Sequence, residues 1–114
     1  MATAVLMIGW NRPLPGQEDK AFGFLQQEGV EYLKKCQGKY LDRLEVIALT
    51  PHGGSFNGCI LAFGERAKLD ELRRTDEFEA LVFRMMRLFD GLGVVPGLNY
   101  EGIQAASARM ERAK

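Results

Sequence analysis

The chain has 114 residues, of which 46% are hydrophobic and 26% are charged, and its 15 basic and 15 acidic residues cancel. This composition is typical of one globular domain and excludes extended disorder. Because the net charge is zero, no long-range field draws the chain to a nucleic-acid backbone or to an anionic membrane. No segment approaches the ~20 apolar residues that span a bilayer, so we expect neither a nucleic-acid nor a membrane partner.

The cysteines and the N-terminal residues indicate the compartment. Residues 2–10 lack the basic start of a signal peptide, and their apolar run is short. In a reducing compartment Cys36 and Cys59 stay free thiols. We therefore expect a cytoplasmic protein without a disulfide.

The first half of the chain predicts a strand, a helix and a hairpin of two strands. Residues 3–10, TAVLMIGW, are a short apolar run. Residues 17–37 carry apolar side chains at helical spacing. Residues 43–50 and 55–64 are typical of strands, and the PHGG between them indicates a hairpin turn.

The second half predicts a two-part helix and a last strand. Residues 65–92 are helical in pattern, and Thr75, followed by two acids, has the features of an N-cap that starts the second part. Residues 93–105 contain the last predicted strand. Residues 107–114, SARMERAK, are polar and are expected to fray or to form a short exposed helix.

The order βαββαβ defines the fold class. It predicts an α+β, ferredoxin-like antiparallel sheet of strand order 4-1-3-2, with both helices on one face. Residues 1–106 are thus expected to form a single ferredoxin-like domain, and residues 107–114 a polar C-terminal tail.

The strand sequences also predict an assembly. AVLMIGW, EVIAL and CILAF are nearly continuous apolar runs, which are typical of strands buried on both faces. The helices cover one face, and the predicted elements leave no cover for the other. A second copy supplies one, so we expect a homodimer with its sheets packed face to face, forming a dimeric α/β barrel.

The element order, the doubly apolar strands and the two-part helix LDELRRTDEFEALVFRM carry a family resemblance. Over about residues 3–105 the chain resembles the dimeric α/β-barrel superfamily, which includes antibiotic-biosynthesis-type monooxygenases, stress-responsive barrel proteins, haem-degrading enzymes and muconolactone-isomerase-like proteins. The segments NRPLPGQE and LTPHGGSFNG resemble small uncharacterised bacterial members. The resemblance implies the fold, and this fold hosts many activities.

The resemblance also bears on cofactors. Haem-degrading members use an asparagine on the first strand and a tryptophan and a histidine of the second helical region. Asn11 matches the first, but residues 65–92 contain neither of the others. A single histidine and two distant cysteines do not make a zinc site. We therefore expect no haem, no metal and no other cofactor.

The predicted topology brings polar residues together at one end of the sheet. The end of the first strand lies beside the end of the second and the starts of the third and fourth. A cleft between helices and sheet at that end is the default ligand site. Its candidate rim, which Ser55 adjoins, comprises Trp10, Asn11, Arg12, His52 and Asn57.

Each rim residue has two readings that the sequence leaves open. His52 is either a base near neutral pH or an exposed turn residue. Trp10 either stacks on a ligand or fills the core or an interface. Asn11 either orients a ligand carbonyl or bonds its own turn. Arg12 either clamps an anion or is a surface residue, and Asn57 is either a ligand contact or a hairpin residue.

Two functions fit these residues. The first is a non-catalytic dimeric barrel that binds a small hydrophobic or aromatic metabolite. The alternative is a cofactor-independent monooxygenase or isomerase acting on an aromatic or quinol-like substrate. An open cleft with His52 and Asn11 facing inward favours the enzyme, whereas a His52 that faces solvent disfavours it.

Overall fold

The computed structural model describes residues 2–113, which form an α+β fold around one four-stranded antiparallel sheet. The sheet order is β2-β3-β1-β4, which confirms the expected order 4-1-3-2 and the ferredoxin-like class. The strands are β1 (Ala4–Trp10), β2 (Arg43–Ala48), β3 (Gly58–Gly64) and β4 (Gly93–Leu98).

The helices follow the expected order, with one addition at the C-terminus. The segment predicted as one helix, called the first helix below, consists of α1 (Glu18–Phe24), a π-helical segment (Leu25–Val30) and α2 (Glu31–Lys35). The remaining helices are α3 (Arg66–Arg73), α4 (Asp76–Met86) and α5 (Tyr100–Arg112).

The core lies between the helices and one face of the sheet. Alternate residues of β1 point to it, because successive strand side chains face opposite ways, and Leu6 and Ile8 are each 1% exposed. Their neighbours on β3, Ala62 and Ile60, are equally buried. The helices and the segments that follow them contribute Ala21, Phe24, Leu25, Leu33, Leu69, Leu72, Phe78, Leu81, Met85 and Phe89.

The break between α3 and α4 lies where the sequence predicts it. Thr75 Oγ1 accepts a hydrogen bond from the Phe78 N–H at 3.2 Å and donates one to the Leu72 carbonyl at 2.8 Å. One hydroxyl therefore ends α3 and caps α4, as expected of an N-cap residue.

The prediction that the last strand continues to residue 105 is wrong. β4 ends at Leu98, and α5 runs from Tyr100 across the expected tail boundary at 106–107. Asn99 is the cause, because its Oδ1 accepts from the Gly102 N–H at 2.9 Å while its Nδ2 donates to the Ala2 carbonyl at 2.8 Å. Residues 99–105, NYEGIQA, alternate between polar and apolar side chains, a pattern that favours a strand and gives no sign of this cap.

Glycine 102 sets the place where α5 leaves the sheet. A Cβ on Gly102 would overlap the Thr3 carbonyl oxygen, so the helix approaches the start of β1 closely there. Beyond that contact the helix is largely exposed, and Met110 has 71% of its surface in solvent. Among residues 2–113, no helix is both long enough and apolar enough to cross a membrane.

Cys36 and Cys59 are free thiols, and both are buried. Burial raises the pKa of the Cys36 thiol and of the Cys59 thiol. Neither sulfur is therefore activated as a thiolate near neutral pH.

Candidate functional site

An open cleft of about 370 Å³ lies between the first helix and the edge strand β2, at the hairpin end of the sheet. The exposure of Val46 shows that the cleft is open. Its neighbour on β3, Ile60, faces the core and is fully buried, yet Val46 on the same face is 47% exposed. The helical layer thus stops short of β2. The apolar lining includes Phe22, Leu25, Val30, Val46, Ala48 and Leu49.

The π-helical segment forms one wall of the cleft. Leu25, Gln26 and Val30 all belong to it and line the cleft. A π-helix bonds residue i to residue i+5, so it brings Leu25 and Val30 towards the same side, and such segments are frequent at functional sites. The periodicity of the sequence indicates a continuous α-helix and carries no sign of this segment.

Two aromatic side chains, Trp10 and Phe22, line the cleft next to the core. Trp10 is only 3% exposed, and its indole lies across Gly58 of β3, where a Cβ would come within 2.7 Å of the ring. The Trp10 ring contacts that of Phe89 at 5.4 Å between centroids. Phe89 in turn meets the half-exposed Phe22 edge to face at 5.9 Å. Trp10 is therefore both a core residue and a cleft residue.

A chain of side-chain hydrogen bonds closes the polar end of the cleft. Asn57 Nδ2 donates to Asn11 Oδ1 at 2.6 Å and to the Gly54 carbonyl at 3.2 Å. Asn11 Nδ2 donates to Asp90 Oδ2 at 3.1 Å. We call this chain, from Asp90 through Asn11 and Asn57 to Gly54, the amide relay. It joins the end of β1 to the hairpin and to the segment after α4.

Asp90 is the relay member that sequence reasoning missed. The backbones of Asn11 and Asp90 also pair, with the Asn11 N–H donating to the Asp90 carbonyl at 2.9 Å and the Asp90 N–H to the Arg12 carbonyl at 2.7 Å. The Asp-Gly dipeptide at 90–91 marks a turn after the helix and was the available signal. It does not indicate which strand the turn meets.

His52 lies outside the cleft, unlike the other four candidate rim residues. Its side chain is exposed, Nδ1 accepts from the Gly54 N–H at 3.1 Å, and Nε2 lies 2.8 Å from the Phe56 carbonyl oxygen. Because Nδ1 accepts, the proton sits on Nε2 and is donated to Phe56. Both ring nitrogens thus hold the hairpin, and neither is available to a ligand.

The remaining rim residues differ in their surroundings. Trp10, Asn11, Arg12 and Asn57 all line the cleft. Arg12 is exposed and is the one charged side chain that lines it within the described chain. Ser55 is exposed in the hairpin and does not line it. The arrangement offers aromatic faces and amide groups, with no carboxylate or imidazole aimed at a ligand.

The sheet face opposite the core is apolar as well. Val5, Met7, Leu61 and Phe63 occupy the alternate positions of β1 and β3 and are half-buried, and Val95 of β4 is 50% exposed. At its β2 edge the face is charged, since Arg43 pairs with Glu45 at 3.0 Å. The apolar runs in the strands therefore come from side chains on both faces.

The comparisons with known proteins show the fold. No family model matches the chain, and no curated protein does. A protein of the ethyl tert-butyl ether degradation family from Bacillus halodurans is similar in structure, with a TM-score of 0.60 and 19% identity over 83% of this chain and 96% of that one.

Two further solved structures are similar. A dimeric protein of unknown function and ferredoxin-like fold from Bacteroides fragilis has a TM-score of 0.60 and 12% identity, over 84% of this chain and 96% of that chain. An uncharacterised NIPSNAP domain protein from Burkholderia xenovorans has a TM-score of 0.51 and 17% identity, over 82% and 90%. At these identities the similarity establishes a ferredoxin-like α+β protein and nothing about its activity.

Proposed function

We propose that this protein is a homodimer that binds a small hydrophobic or aromatic metabolite in the cleft without catalysing a reaction on it. The observation that carries the proposal is the open, aromatic-lined cleft between the first helix and β2. Its volume of about 370 Å³ lies near the lower end of the ~300–1,000 Å³ typical of ligand pockets. A ligand of one or two rings suits this space.

The lining favours a flat apolar ligand. Phe22 exposes 45% of its surface beside the cleft, and Val46 exposes 47%. Covering such side chains stabilises a complex by about 25 cal/mol per Å² of apolar area, and ring–ring contacts add about 0.5–1.5 kcal/mol. The amide relay and Arg12 supply polar groups at one end, which is enough to orient a ligand.

The absence of a reactive group favours binding over catalysis. Acid–base catalysis needs a titratable group within hydrogen-bond reach of the substrate. His52 is held in the hairpin by both nitrogens, and the lining residues of the described chain include no carboxylate or cysteine. The cleft therefore suits a carrier or sensor of a metabolite.

A cofactor-independent monooxygenase or isomerase acting on an aromatic or quinol-like substrate is the alternative. One protein of similar structure belongs to the ethyl tert-butyl ether degradation family, and at 19% identity that similarity shows the fold alone. Such chemistry relies on an electron-rich substrate. Consumption of dioxygen with 1,4-dihydroxynaphthalene, above the rate without protein, would support this alternative and contradict a purely binding role.

Fluorescence of Trp10 tests ligand binding directly, because the chain contains one tryptophan. We expect 2-naphthol to bind saturably, with a change in Trp10 emission and a rise in melting temperature. Ala48→Phe fills the cleft and is expected to weaken binding at least tenfold. The matched control Ala108→Phe changes an exposed position on α5 and leaves it unchanged. Equal binding by both variants would place the ligand elsewhere.

The proposed dimer packs two sheets through the apolar face opposite the core. A neighbour of the same fold is described as dimeric, and the half-buried side chains of β1 and β3 are the surface that a second sheet covers. In sedimentation we expect twice the chain mass of 12.8 kDa. Val95→Lys, on that face, shifts the equilibrium to monomer, whereas Phe83→Lys on α4 does not. A wild-type monomer at micromolar concentration contradicts this assembly.

A further inference from the structure

We propose that the polar end of the cleft selects ligands bearing a hydroxyl group, and that Asn57 is the residue that sets this specificity. This inference rests on the proposed binding function and specifies its ligand class. Its basis is the direction of the amide relay, which the groups at its two ends determine.

Both ends of the relay are hydrogen-bond acceptors. At one end the Asp90 carboxylate accepts from Asn11 Nδ2 at 3.1 Å, and at the other the Gly54 carbonyl accepts from Asn57 Nδ2 at 3.2 Å. A carboxylate and a backbone carbonyl have no proton to donate. Each end therefore requires an NH₂ group, and the Asn11 oxygen is left to accept from Asn57 at 2.6 Å. Reversing either amide would place two oxygens against each other.

The relay leaves two polar functions unused. Asn57 commits both amide hydrogens, one to Asn11 and one to Gly54, so its remaining polar atom is Oδ1, an acceptor for which the described chain provides no donor. Asn11 commits one of its two amide hydrogens and keeps the other. Both residues line the cleft. The protein thus offers one acceptor and one donor on neighbouring side chains.

A hydroxyl group complements this pair, because it donates one hydrogen bond and accepts others. It donates to Asn57 Oδ1 and accepts from the free Asn11 N–H. An ether or a ketone only accepts, so it leaves the Asn57 oxygen without a partner once the ligand displaces water. An unpaired polar group in a desolvated site costs more than a hydrogen bond gains.

The backbone holds Asn57 in place before any ligand arrives. The Asn57 N–H donates to the Trp10 carbonyl at 2.9 Å, and the Asn57 carbonyl accepts from the Leu49 N–H at 2.9 Å. Removing the side chain therefore leaves these two hydrogen bonds intact. Asp90 acts as a positioning residue, since it holds Asn11 by a hydrogen bond and does not itself line the cleft.

Calorimetric titration of the protein with two matched probes tests the inference. In the wild type we expect 2-naphthol to bind about fivefold to tenfold more tightly than 2-methoxynaphthalene, the ratio of one net hydrogen bond. Asn57→Ala is expected to reduce the ratio to about twofold or less. Gln104→Ala, which removes an exposed amide of α5 that does not line the cleft, is expected to keep the wild-type ratio.

The outcomes separate this inference from the proposed function. If both probes bind the wild type with equal affinity, the hydroxyl selectivity is wrong and the binding function stands. If neither binds, the proposed function fails and this inference fails with it. If Asn57→Ala keeps a fivefold preference, Asn57 is not the selecting residue. The wild-type comparison needs no variant, so a loss of folding in Asn57→Ala leaves it decisive.

Discussion

The two halves of the helical layer cover the same face of the sheet in different ways. Under α3 and α4, Leu72 and Met85 have no measurable exposure and Leu69 retains only 3%. Over β2, the first helix leaves Val46 almost half exposed, and its own residue Phe22 is exposed to a similar extent. Both halves of the layer contribute buried residues to the core, and the first helix also leaves the space over β2 in which a ligand can lie.

The difference arises from local features of the two helical segments. α4 is a regular helix with a threonine cap and an acidic first turn, which together stabilise its N-terminus. The first helix contains a π-helical segment and two glycines, Gly23 and Gly29. Its partner β2 is an edge strand, bonded only to β3. Less regular backbone and an unpaired strand edge thus accompany the cleft.

The largest expected effect comes from truncating one side chain in each half. Met85→Ala leaves a cavity between α4 and the sheet, and we expect the free energy of unfolding to fall by about 2–5 kcal/mol. Val46→Ala removes a half-exposed side chain at the cleft, and we expect a loss below about 1 kcal/mol. Urea denaturation of both variants measures the difference. Equal losses would show that the two halves pack alike.

The sequence predicted the half of the helical layer formed by α3 and α4 better than the half formed by the first helix. Periodicity identified α3 and α4, and the two acids after Thr75 identified the cap, because these local preferences agree with the fold. Topology alone placed Trp10 and Asn57 near each other, since antiparallel order fixes which strand ends meet. The sequence did not predict the π-helical segment, because a π-turn has no hydrophobic signature. It did not predict the role of Asp90 either, because the pairing of residues 11–14 with residues 88–90 is a tertiary contact.

The next largest effect concerns the floor of the cleft. Gly58→Ala places a Cβ within 2.7 Å of the Trp10 ring, so the indole must move, and we expect a loss of about 1–3 kcal/mol together with a shift in Trp10 emission and weaker binding of 2-naphthol. Gly93→Ala is the matched control, because a Cβ at this strand glycine meets nothing within 4 Å. An unchanged emission spectrum in Gly58→Ala would contradict the ring placement.

A smaller effect, of opposite sign, is expected in the first helix. A Cβ at Gly23 meets nothing within 4 Å and one at Gly29 meets only ordinary contacts, so close packing requires a glycine at neither position. Gly23→Ala should therefore raise the free energy of unfolding by up to about 1 kcal/mol. Denaturant midpoints measure this gain. A loss instead would mean that a neighbour approaches Gly23 more closely than the structure shows.

The last expected effect is confined to alkaline pH and lies where the two halves meet. Tyr32 of α2 faces the Thr75 cap, and burial raises the pKa of its phenol to about 12, although a hydrogen bond with the Thr75 side chain acts in the opposite direction. In the unfolded chain a tyrosine has a pKa near ~10. Between these values the unfolded state loses the phenol proton first, so stability is fully present below about pH 10 and is lost as the pH rises towards 12.

Tyr32→Phe tests this contribution. The variant has no phenol to titrate at position 32, so its free energy of unfolding should fall less steeply than that of the wild type between about pH 10 and pH 12. The Cys36 thiol interacts with Tyr32 and its pKa is raised as well, so the difference between the two slopes reports Tyr32 together with this neighbour. Chemical denaturation at several pH values across this window measures the slopes. Parallel slopes would indicate that the contact between the two halves leaves the Tyr32 phenol accessible to water.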